Sequence, residues 1–121
     1  MIDESPKPYR EERPWGEFVK FTENSQSTVK IITVKAGEAT SLQFHHGRSE
    51  FWHIISGEGS VDIDGTNYEA SAGKDFFIPK EITHRISGGQ TPLVLLEIAF
   101  GNFNEQDIER IIDNYGRIKS A

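Results

Sequence analysis

From residue 16 onward, short β-type runs of largely apolar residues alternate with turn-forming residues. Residues 17–21, 28–35 (TVKIITVK), 51–56 (FWHIIS), 60–64, 67–70, 75–78, 84–87 and 93–100 each read as a strand. Their spacing of roughly 8–12 residues is that of a sandwich or closed barrel. Val61 and Ile63 alternate with Asp62 and Asp64, and Asp64-Gly65 is the dipeptide of a type I′ hairpin turn. One short helix is predicted over 105–115, with Asn104 as N-cap, Ile108, Ile111 and Ile112 at helical spacing and Gly116 as the stop. Pro6, Pro8, Pro14 and a run of charge make residues 1–14 an irregular arm, so that 15–121 form one all-β domain with a C-terminal helix.

Composition narrows the function. A chain of 121 residues suits one domain and buries a core without staples. With no cysteine there is neither a disulfide framework nor a thiolate metal site. A net charge of −6 argues against a general nucleic-acid or membrane-surface binder, yet two or three arginines in a pocket still bind one phosphate. The N-terminal residues lack an apolar signal-peptide core, and the longest apolar run, 93–100, carries Glu97 and is too short to span a bilayer. A cytoplasmic location is expected.

Two segments carry candidate chemistry. Gln43 and His45 are two residues apart, so on an extended segment they share a face. Glu50 opens the next strand after a short turn, and His84 begins a later one. Converging in a barrel mouth, the four would offer two nitrogens and two oxygens to one divalent ion, with zinc, manganese, iron, cobalt and nickel all admissible. His46 and His53 read as ordinary surface or hydrogen-bonded histidines. Glu97 is a carboxylate inside an apolar run, where it is either structurally paired or raised in pKa by burial.

In order, Gly37, Gln43, His45, Glu50 and Gly57, then Gly73, Pro79 and His84, resemble the two motifs of the cupin superfamily. Gln43 stands where the first motif has a histidine, Glu81 where the second has a glycine, and Gly88 where it has an asparagine. With Arg13-Pro14-Trp15-Gly16, Ser41-Leu42-Gln43, Arg48-Ser49-Glu50-Phe51-Trp52 and Tyr115-Gly116-Arg117, nearly the whole chain is similar to the type II phosphomannose isomerase domain, usually the C-terminal part of a bifunctional guanylyltransferase/isomerase. The resemblance implies a double-stranded β-helix (jelly-roll) barrel, a metal on Gln43, His45, Glu50 and His84, and a homodimer. No counterpart of the nucleotidyltransferase half is seen, so guanylyl transfer is not expected. Gly47 and Phe51 replace two histidines common near the metal in that family.

The reaction so implied is interconversion of mannose 6-phosphate and fructose 6-phosphate through a metal-stabilised enediol. Arg48 and Arg85, beside metal ligands in sequence, are the phosphate candidates, although Arg85 should face away from His84 on a regular strand. Arg117 could close over the mouth. Glu97 is the candidate general base and His53 the second. Trp52 and Ile54 share the parity of Glu50 and line the barrel, with Trp52 a candidate substrate-binding residue, whereas Phe51, His53 and Ile55 face outward toward a second sheet or a dimer partner. The alternative is a non-catalytic metal-holding cupin that binds a sugar or other small ligand. An oxygenase is a third reading, against which Gln43 argues, since the common iron sites use two or three histidines.

Overall fold

The computed structural model describes residues 7–117. It has eleven strands: β1 (Tyr9–Arg13), β2 (Gly16–Lys20), β3 (Ser27–Val34), β4 (Leu42–Phe44), β5 (Arg48–Ser56), β6 (Glu58–Ile63), β7 (Thr66–Ser71), β8 (Asp75–Ile78), β9 (His84–Gly88), β10 (Leu93–Gly101) and β11 (Glu109–Ile112). β1 and β2 form a two-stranded sheet; the two larger sheets have the orders β3-β10-β5-β8 and β11-β4-β9-β6-β7, with every pairing antiparallel. The inner faces of the larger sheets meet in a barrel: strand spacing predicts a sandwich or closed barrel, and the resemblance implies the jelly roll.

The core follows the strand period of two. Trp52, Ile54, Val61, Ile78, Ile86, Leu93 and Leu95 project inward and pack with Val34 and Ala70. Burying each large side chain contributes about 1.5–3 kcal/mol. Turns fix the register. Asp64 and Gly65 have φ of 51° and 83°, as a type I′ turn requires. Gly57 has φ of +85°, and a Cβ there would lie 1.8 Å from the Pro92 carbonyl oxygen. Only glycine fits that approach. Glu81 has φ of 64° while its amide donates to the His45 carbonyl at 2.8 Å. The chain thus sets a glutamate in a left-handed conformation that favours glycine.

Two expectations are corrected. Among the described residues no helix forms over 105–115. Asn104 instead closes a turn, its Oδ1 accepting the Gln106 amide at 2.9 Å, and β11 follows. An isolated helix of this length is marginal in water, whereas an extended segment pairs with the otherwise open edge of β4. Ile108 and Arg110 then face inward while Glu109 and Ile111 are exposed. In the arm, residues 1–6 lie outside the described part, but Tyr9–Arg13 form a strand. Pro8 precedes it and Pro14 sits in the two-residue turn that closes Arg13 onto Gly16, so neither proline removes a ladder hydrogen bond. After this hairpin, Phe21 covers the outer side of β5, with its ring 6.0 Å from Phe51 and 4.9 Å from His53. That contact explains why outward-facing Phe51 is buried; Val29, Ile31 and Ile55 on the same sheet remain exposed.

Candidate metal centre

The residue after β4 and the strands β5 and β9 bring His45, Glu50 and His84 together inside the barrel. All three are buried, and their ligand atoms lie within 4.8 Å of one another. His45 Nε2 is 3.5 Å from Glu50 Oε2, and His84 Nε2 is 3.6 Å from Glu50 Oε1. Both rings are held from behind. His45 Nδ1 donates to the Asp107 carbonyl at 2.6 Å and His84 Nδ1 to the Ile82 carbonyl at 3.0 Å. A carbonyl accepts only from a protonated nitrogen, so the lone pair of each neutral ring is at Nε2 and faces Glu50. Burial keeps both rings neutral. It pushes His45 down to about 4, against the Asp107 hydrogen bond and with help from the Arg48 charge, and it lowers His84 as well. His84 Nε2 is buried with no hydrogen-bond partner among the described residues. Neutral imidazoles anchored through Nδ1, converging on one carboxylate with an orphaned Nε2, fit a divalent cation.

Gln43 completes the row. It shares the inner face with His45 and pairs in register with His84, while Ser41 Oγ donates to its Oε1 at 2.5 Å. Of the expected pocket residues, Arg48 and Trp52 touch this cluster. Arg48 is buried, with Nε donating to Glu50 Oε2 at 3.1 Å, Nη2 to His45 Nε2 at 3.2 Å and Nη1 to the Asn104 carbonyl at 3.2 Å. Trp52 is fully buried and donates to Glu50 Oε1 at 3.3 Å, so it braces a carboxylate and offers no face to a ligand. Arg85 points away, as its parity requires, and bonds the Thr40 carbonyl at 2.8 Å and Asn114 at 2.9 Å. Arg117 is on the rim, held by Asp113 through two nitrogens. His46 is exposed, and His53 bonds Asp75 at 2.6 Å on the outer face.

Glu97 is buried on β10, opposite both Trp52 and Lys30. Lys30 Nζ lies 3.4 Å from its Oε2. Burial, then the nearby Glu50 carboxylate, push Glu97 up to about 7, against the attraction of Lys30. Sequence reasoning missed the supporting groups. Asp107, assigned to a helix, holds His45 through its carbonyl and accepts the His46 and Gly47 amides at 2.9 and 2.8 Å. A Cβ at Gly47 would come within 3.1 Å of that carboxylate. Arg110 was missed for the same reason: inward parity is visible only once 108–112 is read as a strand. Beside the row, a cavity of about 630 Å³ opens between β3 and the 108–117 segment, with Gln43, Ile108, Arg110 and Arg117 in its wall.

Residues 4–113 match the family described as mannose-6-phosphate isomerase C-terminal. The chain belongs to that family. It is 38% identical over 108 residues to a mannose-1-phosphate guanylyltransferase of Escherichia coli and 38% identical over 107 residues to the alginate biosynthesis protein AlgA of Pseudomonas aeruginosa. These matches take in 88% and 87% of this chain but only 23% and 22% of the relatives. The chain therefore spans less than a quarter of the length of the relatives it matches. A solved cupin from Bacteroides fragilis superimposes with a TM-score of 0.57 at 24% identity, over 78% of this chain and 71% of that one. It supports the barrel fold.

The relatives overturn the expected activity. They are named for guanylyl transfer and alginate biosynthesis, and this member corresponds to only their C-terminal part, so interconversion of mannose 6-phosphate and fructose 6-phosphate is not supported for it. The proton-carrying role expected of Glu97 belonged to that reaction. What the family establishes is a cupin domain related to enzymes of mannose phosphate and polysaccharide metabolism.

Proposed function

We propose that this chain holds one divalent metal ion on His45, Glu50 and His84, with Gln43 as the fourth ligand, and binds a small phosphorylated sugar beside it. The observation that carries the reading is the pair of buried imidazoles, each tied through Nδ1 to a backbone carbonyl and turned by Nε2 onto one carboxylate. The ion would supply a Lewis-acid site for sugar oxygens. Glu50 and Glu97 offset its charge and that of Arg48, which already lies against His45 and Glu50. The cavity beside Gln43 is of small-ligand size. Membership of a mannose phosphate family supports the ligand class, and the relatives' names suggest work in polysaccharide precursor supply, in the cytoplasm. The exposed Val29, Ile31 and Ile55 on one sheet are the face through which two copies would pair.

Calorimetry tests this. Protein loaded with zinc or manganese should bind mannose 6-phosphate, and EDTA-stripped protein should bind it at least tenfold more weakly. Equal binding with and without metal would contradict the reading.

A further inference from the structure

The structure assigns a residue to ligand recognition that the sequence motifs do not: we propose that Arg110 is the anion-binding residue of the cavity, receiving the phosphate or carboxylate of a ligand whose other oxygens reach the metal centre. This rests on the metal-and-sugar reading above. Arg110 lies on β11, directly opposite Gln43 on β4, and Gln43 lies opposite His84 on β9. The three residues are therefore abreast on adjacent strands. Two strand spacings, about 10 Å, separate the backbone of Arg110 from that of His84. Gln43 and Arg110 both line the cavity, so a ligand bound there lies against the Gln43 end of the metal row.

Chemistry singles out Arg110 among the arginines nearby; Lys35, the other cation in the cavity wall, is exposed, so solvent serves its ammonium. Arg48 is engaged by Glu50, His45 and the Asn104 carbonyl, Arg85 by Thr40 and Asn114, and Arg117 by both oxygens of Asp113. Arg110 Nε is buried in the cavity wall and has no hydrogen-bond partner, and no ion pair reaches the side chain from the described residues. A desolvated guanidinium nitrogen without an acceptor is unfavourable unless a ligand supplies one. Its planar fork matches an oxyanion through two parallel N–H···O bonds. Glu38, the acid in the same wall, is occupied by the Tyr115 hydroxyl at 2.5 Å. Arg110 is thus a specificity residue: it selects for charge at one end of the ligand while the metal row accepts neutral oxygens at the other.

The test is calorimetry on metal-loaded wild type, Arg110→Gln and Arg110→Lys, with mannose 6-phosphate, mannuronate and neutral mannose. Wild type should prefer a charged ligand over mannose by tenfold or more, and the two charged ligands tell phosphate from carboxylate. Arg110→Gln should lose that preference with mannose binding unchanged, and Arg110→Lys should restore part of it. A preference that survives in Arg110→Gln overturns the assignment and leaves the metal-and-sugar reading intact. If no sugar binds the wild type, that reading fails instead. Titration of wild type with inorganic phosphate, followed at the Arg110 Nε–H resonance, then decides the anion site separately. A saturable shift supports it; no shift, or an equal shift at the other arginines, overturns it. The phosphate arm needs no variant, so a misfolded substitution does not decide the outcome.

Discussion

The two ends of the barrel interior are built from the same strands and could hardly differ more. Along β5 the inward positions run Arg48, Glu50, Trp52, Ile54; along β9, His84, Ile86; along β10, Leu93, Leu95, Glu97, Ala99. One end is a dry apolar plug with Ile54, Leu93 and Leu95 fully buried. At the other end, buried charges and imidazoles are held by backbone carbonyls and by one another. The plug supplies stability that the polar end spends, because desolvated charge is expensive even when paired. Keeping such a cluster is the mark of a site.

Substitutions on each side sharpen this contrast. Ile54→Ala opens a cavity in the plug and should cost about 2–5 kcal/mol in urea unfolding. At the polar end the sign reverses. Glu97 is raised to about 7, above the ordinary carboxylate value of 4.5, so folding favours its protonated form. Its contribution is full below about pH 4.5 and is lost as pH rises through 7. In EDTA-treated protein, Glu97→Gln should therefore be more stable than wild type above pH 7, by up to about 3 kcal/mol, and the two should converge below pH 4.5. His45, lowered to about 4, has the opposite slope: its contribution is present above about 6.5 and is lost as pH falls through 4. Smallest is the strained backbone beside the site. Glu81→Gly should relieve the left-handed φ and raise thermal stability by about 1 kcal/mol or less, the glycine's chain entropy taking back part of the gain.

Legibility in the sequence divides along similar lines. The eight inner and flanking strands were readable because short runs rich in β-branched and aromatic residues are closed by turn residues, as at Ala36-Gly37 and Gly57-Glu58-Gly59. His45, Glu50 and His84 were readable because spacing and turn residues recur around them. Segment 105–115 was not, since Ile108, Ile111 and Ile112 satisfy a helical period, and the choice was made by the open edge of β4, which local sequence does not encode. With that segment went Arg110 and the carbonyl of Asp107. Short β4 was hidden inside the motif, and β1 behind two prolines that turned out to bracket it. Trp52 was placed inward correctly, but that it bonds Glu50 and is closed to ligand depends on packing.

The central claim is that His45, Glu50 and His84 hold one metal ion. Equilibrium dialysis against zinc and manganese, followed by elemental analysis, measures it directly. Wild type should retain about one equivalent per chain, and a folded His45→Ala/His84→Ala variant should retain none. A wild type that keeps no metal, or a double variant that still keeps one equivalent, would contradict the account.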